Sequence, residues 1–404
     1  MLVYAGYIVF SSNESSAIAF EVFSLVMFFF LTLHAVTNEE KLSRVMTWWM
    51  YALVGVVVIA CSVMYGFDFT TSKPVTDGNV GRLSLNSWLL NNPNALGHTL
   101  ASLLPMLFFA VIGKSKVITK VLSLLVGVFA SICLWETQSK GALIVAATGV
   151  LLCFLIGRAW WWKLGVLAIA IGAGGTLLSK LPRMEKFASL KDDEGIAGRI
   201  LAWQMARGVT RTAPTGEGFK NFAALIEWEG ETIPKATHSS YVKIGADLGS
   251  PGLLLYLSVM CVSIRTLLVH RGHTPRMRRS RDVLLALLSC YMLSGWMIDR
   301  AYHTEFFVLA GAIAAFHRLS LKHLEELASE VETKQPTPAE RAWQWLETSQ
   351  PEPEPILVPA LPFKYGGISA RIRGWRRYGL LDFLVAYAAM EATYWTWDYV
   401  ILEL

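Results

Sequence analysis

The chain has 404 residues, of which 54% are hydrophobic and 17% charged, with a mean hydropathy of +0.43 and a net charge of +5. That balance excludes soluble globular and disordered proteins and defines a polytopic membrane protein, because each crossing needs roughly 20 mostly apolar residues. Cys61, Cys133, Cys153, Cys261 and Cys290 all fall inside apolar runs, so they read as small core residues and not as a disulfide or metal framework.

The opening MLVYAGYIVF is apolar but too short to cross, and it lacks the basic start and the cleavage site of a signal peptide. It reads as a half-helix or as the end of a span begun upstream. Apolar runs of spanning length follow near 17–36, 45–66, 94–113, 117–135, 141–157, 161–179, 251–269, 282–298 and 304–319. The basic residues of the short loops alternate so as to share one side: Lys41 and Arg44; Lys114, Lys116 and Lys120; Arg158 and Lys163; and RGHTPRMRRSR at 271–281. The bias of short loops toward positive charge makes that side the cytoplasm. The other, periplasmic, side then receives 67–92, 136–140, 180–243 and 299–303. The expected fold is an all-α polytopic membrane protein with about nine to eleven transmembrane helices and a large helical periplasmic loop at 180–243. Residues 1–320 form the transmembrane domain and 321–404 a cytoplasmic tail with a Pro- and Glu-containing linker. The tail ends in FLVAYAAMEATYWTWDYVILEL, which Glu391 and Asp398 interrupt, so it reads as an interfacial helix and not as another span.

The chemistry-bearing residues concentrate on the periplasmic side. Within HSSYVKIGADLGSPG, Ser250 and Pro251 read as the cap and first turn of a span, and Gly249 ends a short amphipathic helix before it. Tyr241, Ile244 and Leu248 share the apolar face of that helix, while Lys243 and Asp247 pair at i, i+4 on the other. His238 lies one turn earlier on the apolar side, with a pKa range suited to proton transfer near neutrality. Cations surround this stretch. Arg82 precedes NNPNALG, and Lys140 sits in a hairpin too short to lift it clear of the interface. In the long loop Arg199, Trp203, Arg207 and Arg211 follow one another at i+4 steps on a helix. Gly216 and Gly218 would let a chain or ligand approach closely. Against these stand plain readings: loop carboxylates can neutralise the arginines, Glu136 can bridge Lys140, and His34 and His98 read as packed core histidines.

Taken in order, His238-Ser239 followed by Gly249 and Gly252, the SKGA turn at Lys140, the Gly198-Arg199 pair, the GEGF turn and Arg82 with NNPNALG resemble the signature of the O-antigen ligase superfamily. That group also holds Wzy-type polymerases and protein O-oligosaccharyltransferases. The resemblance covers roughly residues 17–319, with Lys140 where arginine is usual and Asp247 where glutamate is common. It implies a glycosyltransferase that moves a glycan from a polyprenyl diphosphate to an acceptor hydroxyl at the periplasmic face of a bacterial inner membrane. His238 would be the general base. Arg82, Lys140, Arg199, Arg207, Arg211 and Tyr241 would contact substrate, and neither metal nor other cofactor is expected. The implied partners are the lipid-linked donor, an acceptor that is lipid A core, protein or glycan, and membrane lipids, with no nucleic acid. A Wzy-type polymerase and a lipid-linked glycan transporter are the alternatives. A transporter should carry charged or broken helices at mid-membrane, and these spans are nearly free of internal charge.

Overall fold

The structure, a computed structural model, describes residues 1–12, 15–68, 73–74, 82–87, 90–113, 116–156, 162–165, 194–228, 231–334 and 378–403. The apolar run at 161–179, apart from 162–165, lies outside the described residues, as do Lys114 and Arg158. Eleven helices are defined: α1 (Leu2–Phe10), α2 (Ser15–Ala35), α3 (Glu39–Met64), α4 (Pro93–Ile112), α5 (Val117–Glu136), α6 (Lys140–Leu155), α7 (Glu194–Thr212), α8 (Ser240–Val269), α9 (Pro275–Ser294), α10 (Thr304–Lys334) and α11 (Leu380–Glu403). Among the described residues six of them, α2, α3, α4, α5, α8 and α10, are long and apolar enough to cross a membrane. The fold is therefore the all-α polytopic membrane protein that the composition calls for. Two small antiparallel hairpins depart from it, β1 (Phe67–Asp68) with β2 (Lys73–Pro74), and β3 (Ala224–Trp228) with β4 (Glu231–Lys235). The second lies in the large loop at 180–243, where the sequence reading gave only a helix.

Local signals set the helix starts. Asn38, Asn92, Ser139 and Thr274 each accept a backbone N–H of the following turn, and proline occupies the first helical position after Asn92 and Thr274. In α8, Ser239 caps by accepting from Val242 N at 3.4 Å, and Gly249 breaks the helix at φ 65°, ψ −168°. The break falls where the sequence puts it, but Ser250 spends its hydroxyl on the Tyr394 hydroxyl at 2.9 Å and its N–H on the Pro214 carbonyl at 3.1 Å.

Helix α4 sits at the centre of one half of the bundle, packed by α3, α5, α6 and α9, while α10 packs on α2 and α9. Its crossing with α6 is close: a Cβ on Gly97 would stand 2.8 Å from the Ala142 Cβ. Helices α2, α3 and α5 turn Phe20, Phe23, Trp48, Tyr51, Val121 and Leu124 outward, as helices bounded by lipid do.

Hydrogen bonds gather the connections into two faces. On one, Leu83 N donates to the Glu136 carbonyl at 2.9 Å, Ser240 N to Gly295 at 2.7 Å and Arg300 Nη2 to Ala95 at 3.0 Å. On the other, Thr274 bonds Glu39, Arg279 bonds the Phe109 carbonyl, and Arg318 Nη2 donates to the Leu33 carbonyl at 2.7 Å. These are the two sets that the Lys and Arg count separates.

Helix α11 packs along α8, antiparallel to it, with Asp382 paired to Arg265 near one end and Tyr394 on Ser250 near the other. Of the two acidic residues that interrupt the segment, Asp398 pairs with Arg207 and Glu391 is exposed, while Asp382 near the helix start pairs with Arg265. Those partners come from distant sequence, so periodicity within the segment could not reveal them.

Candidate active site around His238

The site is built where α8 begins. Ser239 Oγ donates to the Gly295 carbonyl at 3.1 Å, Ser240 Oγ donates to Ile298 O at 3.1 Å, and Arg300 N donates to Ser240 Oγ at 2.8 Å. The two serines of the His-Ser-Ser run thus fasten the helix start to the turn after α9. On the other side Trp203 Nε1 donates to the Thr237 carbonyl at 2.8 Å, tying α7 to the residue before the histidine. Held from both directions, His238 adopts φ 49°, in the left-handed region that non-glycine residues enter only when their surroundings over-determine them, at a cost of about 1–3 kcal/mol. Its ring is half-buried and makes no hydrogen bond among the described residues. Burial first, and the Arg199 cation second, push its pKa down to about 4, so the imidazole is neutral and able to accept a proton near pH 7.

Arg199 acts electrostatically on both His238 and His98. His98, buried in the first turns of α4, hydrogen-bonds Ser294 Oγ through Nδ1 at 2.9 Å, as a core histidine should. A Cβ on Gly141, the residue after Lys140, would stand 2.9 Å from Met297 Sδ and 3.4 Å from His98 Nε2, so the start of α6 packs closely here. Arg199, His98 and the start of α6 therefore adjoin one another beside His238. The helix N-termini of α4, α6 and α8 open on this face, and their unpaired N–H dipoles favour negative charge there.

Arg82 has a bracing role: Nε donates to the Thr137 carbonyl at 2.9 Å and Nη2 to Asn94 Oδ1 at 2.9 Å, joining the α5–α6 hairpin to the start of α4. Arg207 and Arg211 turn away from His238. Arg207 forks onto Asp398 of α11 at 2.7 and 2.8 Å, with its guanidinium 4.3 Å from the centre of the Tyr394 ring, and Arg211 lies 3.5 Å from the same carboxylate. Tyr241 is core: its hydroxyl donates to the Met292 carbonyl at 2.7 Å and its ring packs 4.8 Å from that of Trp296. Of the seven residues singled out in the sequence, the structure sets Arg199 within electrostatic reach of His238 and places the start of α6, which Lys140 opens, next to His98. It spends Arg207, Arg211 and Tyr241 on internal contacts.

Asp247 emerges as the anchor of the GEGF turn. It is 0% exposed and accepts from Lys220 N at 3.2 Å, Phe222 N at 3.0 Å and the Tyr302 hydroxyl at 3.1 Å, with Lys243 Nζ at 3.1 Å. The i, i+4 pair with Lys243 is as the sequence suggests, but it is turned into the protein. Gly216 and Gly249, both at positive φ, meet backbone to backbone: a Cβ on Gly216 would stand 2.4 Å from the Asp247 carbonyl, and one on Gly249 would stand 1.8 Å from Pro214 O. What approaches the glycine turn is the helix bearing the histidine, so these two motifs are one contact.

Arg300 is a second feature the sequence reading passed over. It is 5% exposed, pairs with Glu305 at 2.6 Å and bonds Ala95 O, which links the starts of α4 and α10. Burial, with Arg300 and Lys220 nearby, holds His303 down at about 4. The signal available in the sequence was an Asp-Arg pair directly after a span.

The fold and this face define a polytopic helical membrane protein with a neutral histidine set among cations. Residues 125–257 match the family model described as O-antigen ligase, and the resemblance to the O-antigen ligase superfamily is borne out over that stretch. The match supports a glycosyltransferase-type activity at the family level. No curated protein matches the chain.

Proposed function

We propose that the protein transfers an oligo- or polysaccharide from polyprenyl diphosphate to an acceptor hydroxyl at the periplasmic face of a bacterial inner membrane. The observation that carries this reading is His238, held in a strained backbone with a neutral ring that makes no hydrogen bond among the described residues and lies in the field of Arg199. The acceptor oxygen attacks the anomeric carbon while its proton passes to His238. The bond from that carbon to the diphosphate oxygen breaks, the electron pair leaves with the diphosphate, and the configuration inverts. Arg199, Lys140 and the helix N-termini stabilise the charge that develops. Binding of the donor sets negative charge beside the imidazole and raises its proton affinity toward the working range.

The test is expression in a strain lacking its own ligase. Glycan joined to lipid A core, to protein, or to a longer lipid-linked chain would each support transfer and would name the acceptor. A donor consumed to no glycosylated product would sink the reading.

Two variants probe the cations. Removing the Arg199 charge makes protonation of His238 easier, so Arg199→Ala should move the acid limb of the kcat/KM profile upward from about 4 toward the ordinary histidine value, besides weakening donor use. An acid limb that stays in place would separate the two residues. Lys140→Ala should also weaken donor use, whereas Lys140→Arg should keep it, because a guanidinium fork meets a diphosphate at least as well as an ammonium. Equal damage from both changes would give Lys140 a packing role.

A further inference from the structure

Helix α11 lies outside the segment that matches the family, and it touches the site from behind. Its 24 residues rise about 36 Å at 1.5 Å each, enough for a hydrocarbon layer of about 30 Å. It runs antiparallel to α8 from Arg265, near the face where α8 ends, to Ser250 and Gly245, on the face of His238. At that second end Trp397 is fully buried, its ring 3.0 Å from where a Cβ on Gly245 would stand. Trp397 Nε1 donates to the Trp203 carbonyl at 3.1 Å, and Trp203 Nε1 donates in turn to the Thr237 carbonyl at 2.8 Å. Thr237 is the residue before His238. The next residue of α11, Asp398, takes the fork of Arg207 one turn further along α7.

We infer that α11 is a further membrane crossing whose outer end positions His238 through a relay of two indoles, Trp397 to Trp203 to the Thr237 carbonyl. A strained left-handed histidine needs its neighbours fixed, and α7 fixes it on one side only if α7 is itself held. Trp397 and Asp398 hold it. They are positioning residues: neither touches the reacting atoms, and both act through the helix that carries Arg199. Two acidic residues of the helix are paired near its ends, Asp382 with Arg265 and Asp398 with the Arg207 fork, which the Tyr394 ring backs. Calling His238 the base rests on the proposed reaction; the crossing and the relay do not.

The test uses the full chain. Single cysteines placed at Glu403, Ala236 and Arg276, all exposed, are labelled with a membrane-impermeant thiol reagent in intact spheroplasts and again after permeabilisation. Glu403 should label on the same side as Ala236 and opposite Arg276. Labelling together with Arg276 overturns the crossing. For the relay, carbethoxylation of His238 is followed against pH. Trp397→Ala should move its midpoint upward by about one pH unit or more from about 4, because α7 loosens, the ring gains water and Arg199 draws away. Trp397→Phe, which keeps an aromatic ring but loses the N–H and part of the indole's volume, should move it less than the alanine variant. A Trp397→Ala protein of normal abundance with an unmoved midpoint overturns the relay. Should that variant fail to accumulate, Asp398→Asn, which keeps the shape of the helix and breaks the fork, decides by the same criterion. None of these readouts needs a glycan donor, so failure of the transfer reaction would leave both findings standing.

Discussion

His238→Ala should lower glycan transfer by about a hundred- to ten-thousand-fold, the range that loss of a general base gives, while insertion and abundance stay near normal. Abundance should hold because the ring contributes no hydrogen bond among the described residues, so its removal orphans nothing. The backbone at φ 49° complicates a single comparison, since alanine is less at ease there than glycine. His238→Gly relieves the strain and removes the imidazole. If both variants lose transfer at normal abundance, the loss belongs to the imidazole. Transfer near the parent rate in either would remove His238 from the mechanism.

Gly249→Ala should be the most damaging change to stability in the candidate site, costing about 3 kcal/mol or more. The conformation at φ 65°, ψ −168° belongs to glycine alone, and the added methyl would stand 1.8 Å from the Pro214 oxygen, a backbone atom that cannot swing aside. The contact it breaks is the one that seats the GEGF turn on the histidine-bearing helix. Thermal unfolding in detergent should show a much lowered midpoint, with transfer falling alongside it. Gly208, in the body of α7 with open space where a Cβ would stand, is the matched control: alanine there should hold or raise stability through helix propensity. Similar melting of the two variants would mean that the Gly249 break is not a fixed point of the fold.

Much of this was legible in the sequence, and for identifiable reasons. The helix start at Asn92-Pro93, the break at Gly249, the Lys243–Asp247 pair and the sorting of loops into two faces all depend on residues within a turn or two of each other, or on charge counted locally. What periodicity cannot supply is the partner of a face. Tyr241 lay correctly on the apolar side of its helix, but only the fold shows that the core, and not substrate, meets it. Arg207 was read as a free outward cation because its carboxylate stands 191 residues away. The glycines of the GEGF turn were known to permit a close approach, and their visitor proved to be Asp247 and Gly249 of the same chain. The β3–β4 hairpin escaped because two strands of five residues make little pattern against a helical background.

The break at Gly249 also separates the order in which the chain enters the bilayer from the order in which its chemistry is completed. Residues from 251 onward can insert as soon as they are synthesised, since they form a continuous apolar helix. The stretch just before the break has its bonds elsewhere: to Pro214 and Phe222, already made, and to Gly295, Ile298 and Tyr302, which the ribosome has not yet delivered. A nascent chain that has threaded α8 therefore carries its histidine without the turn that locks it. The strained conformation gains its bonds to the Gly295–Ile298 turn only when α9 has followed, and the contact of α7 with Trp397 only when α11 has, so the support of His238 is completed late in synthesis.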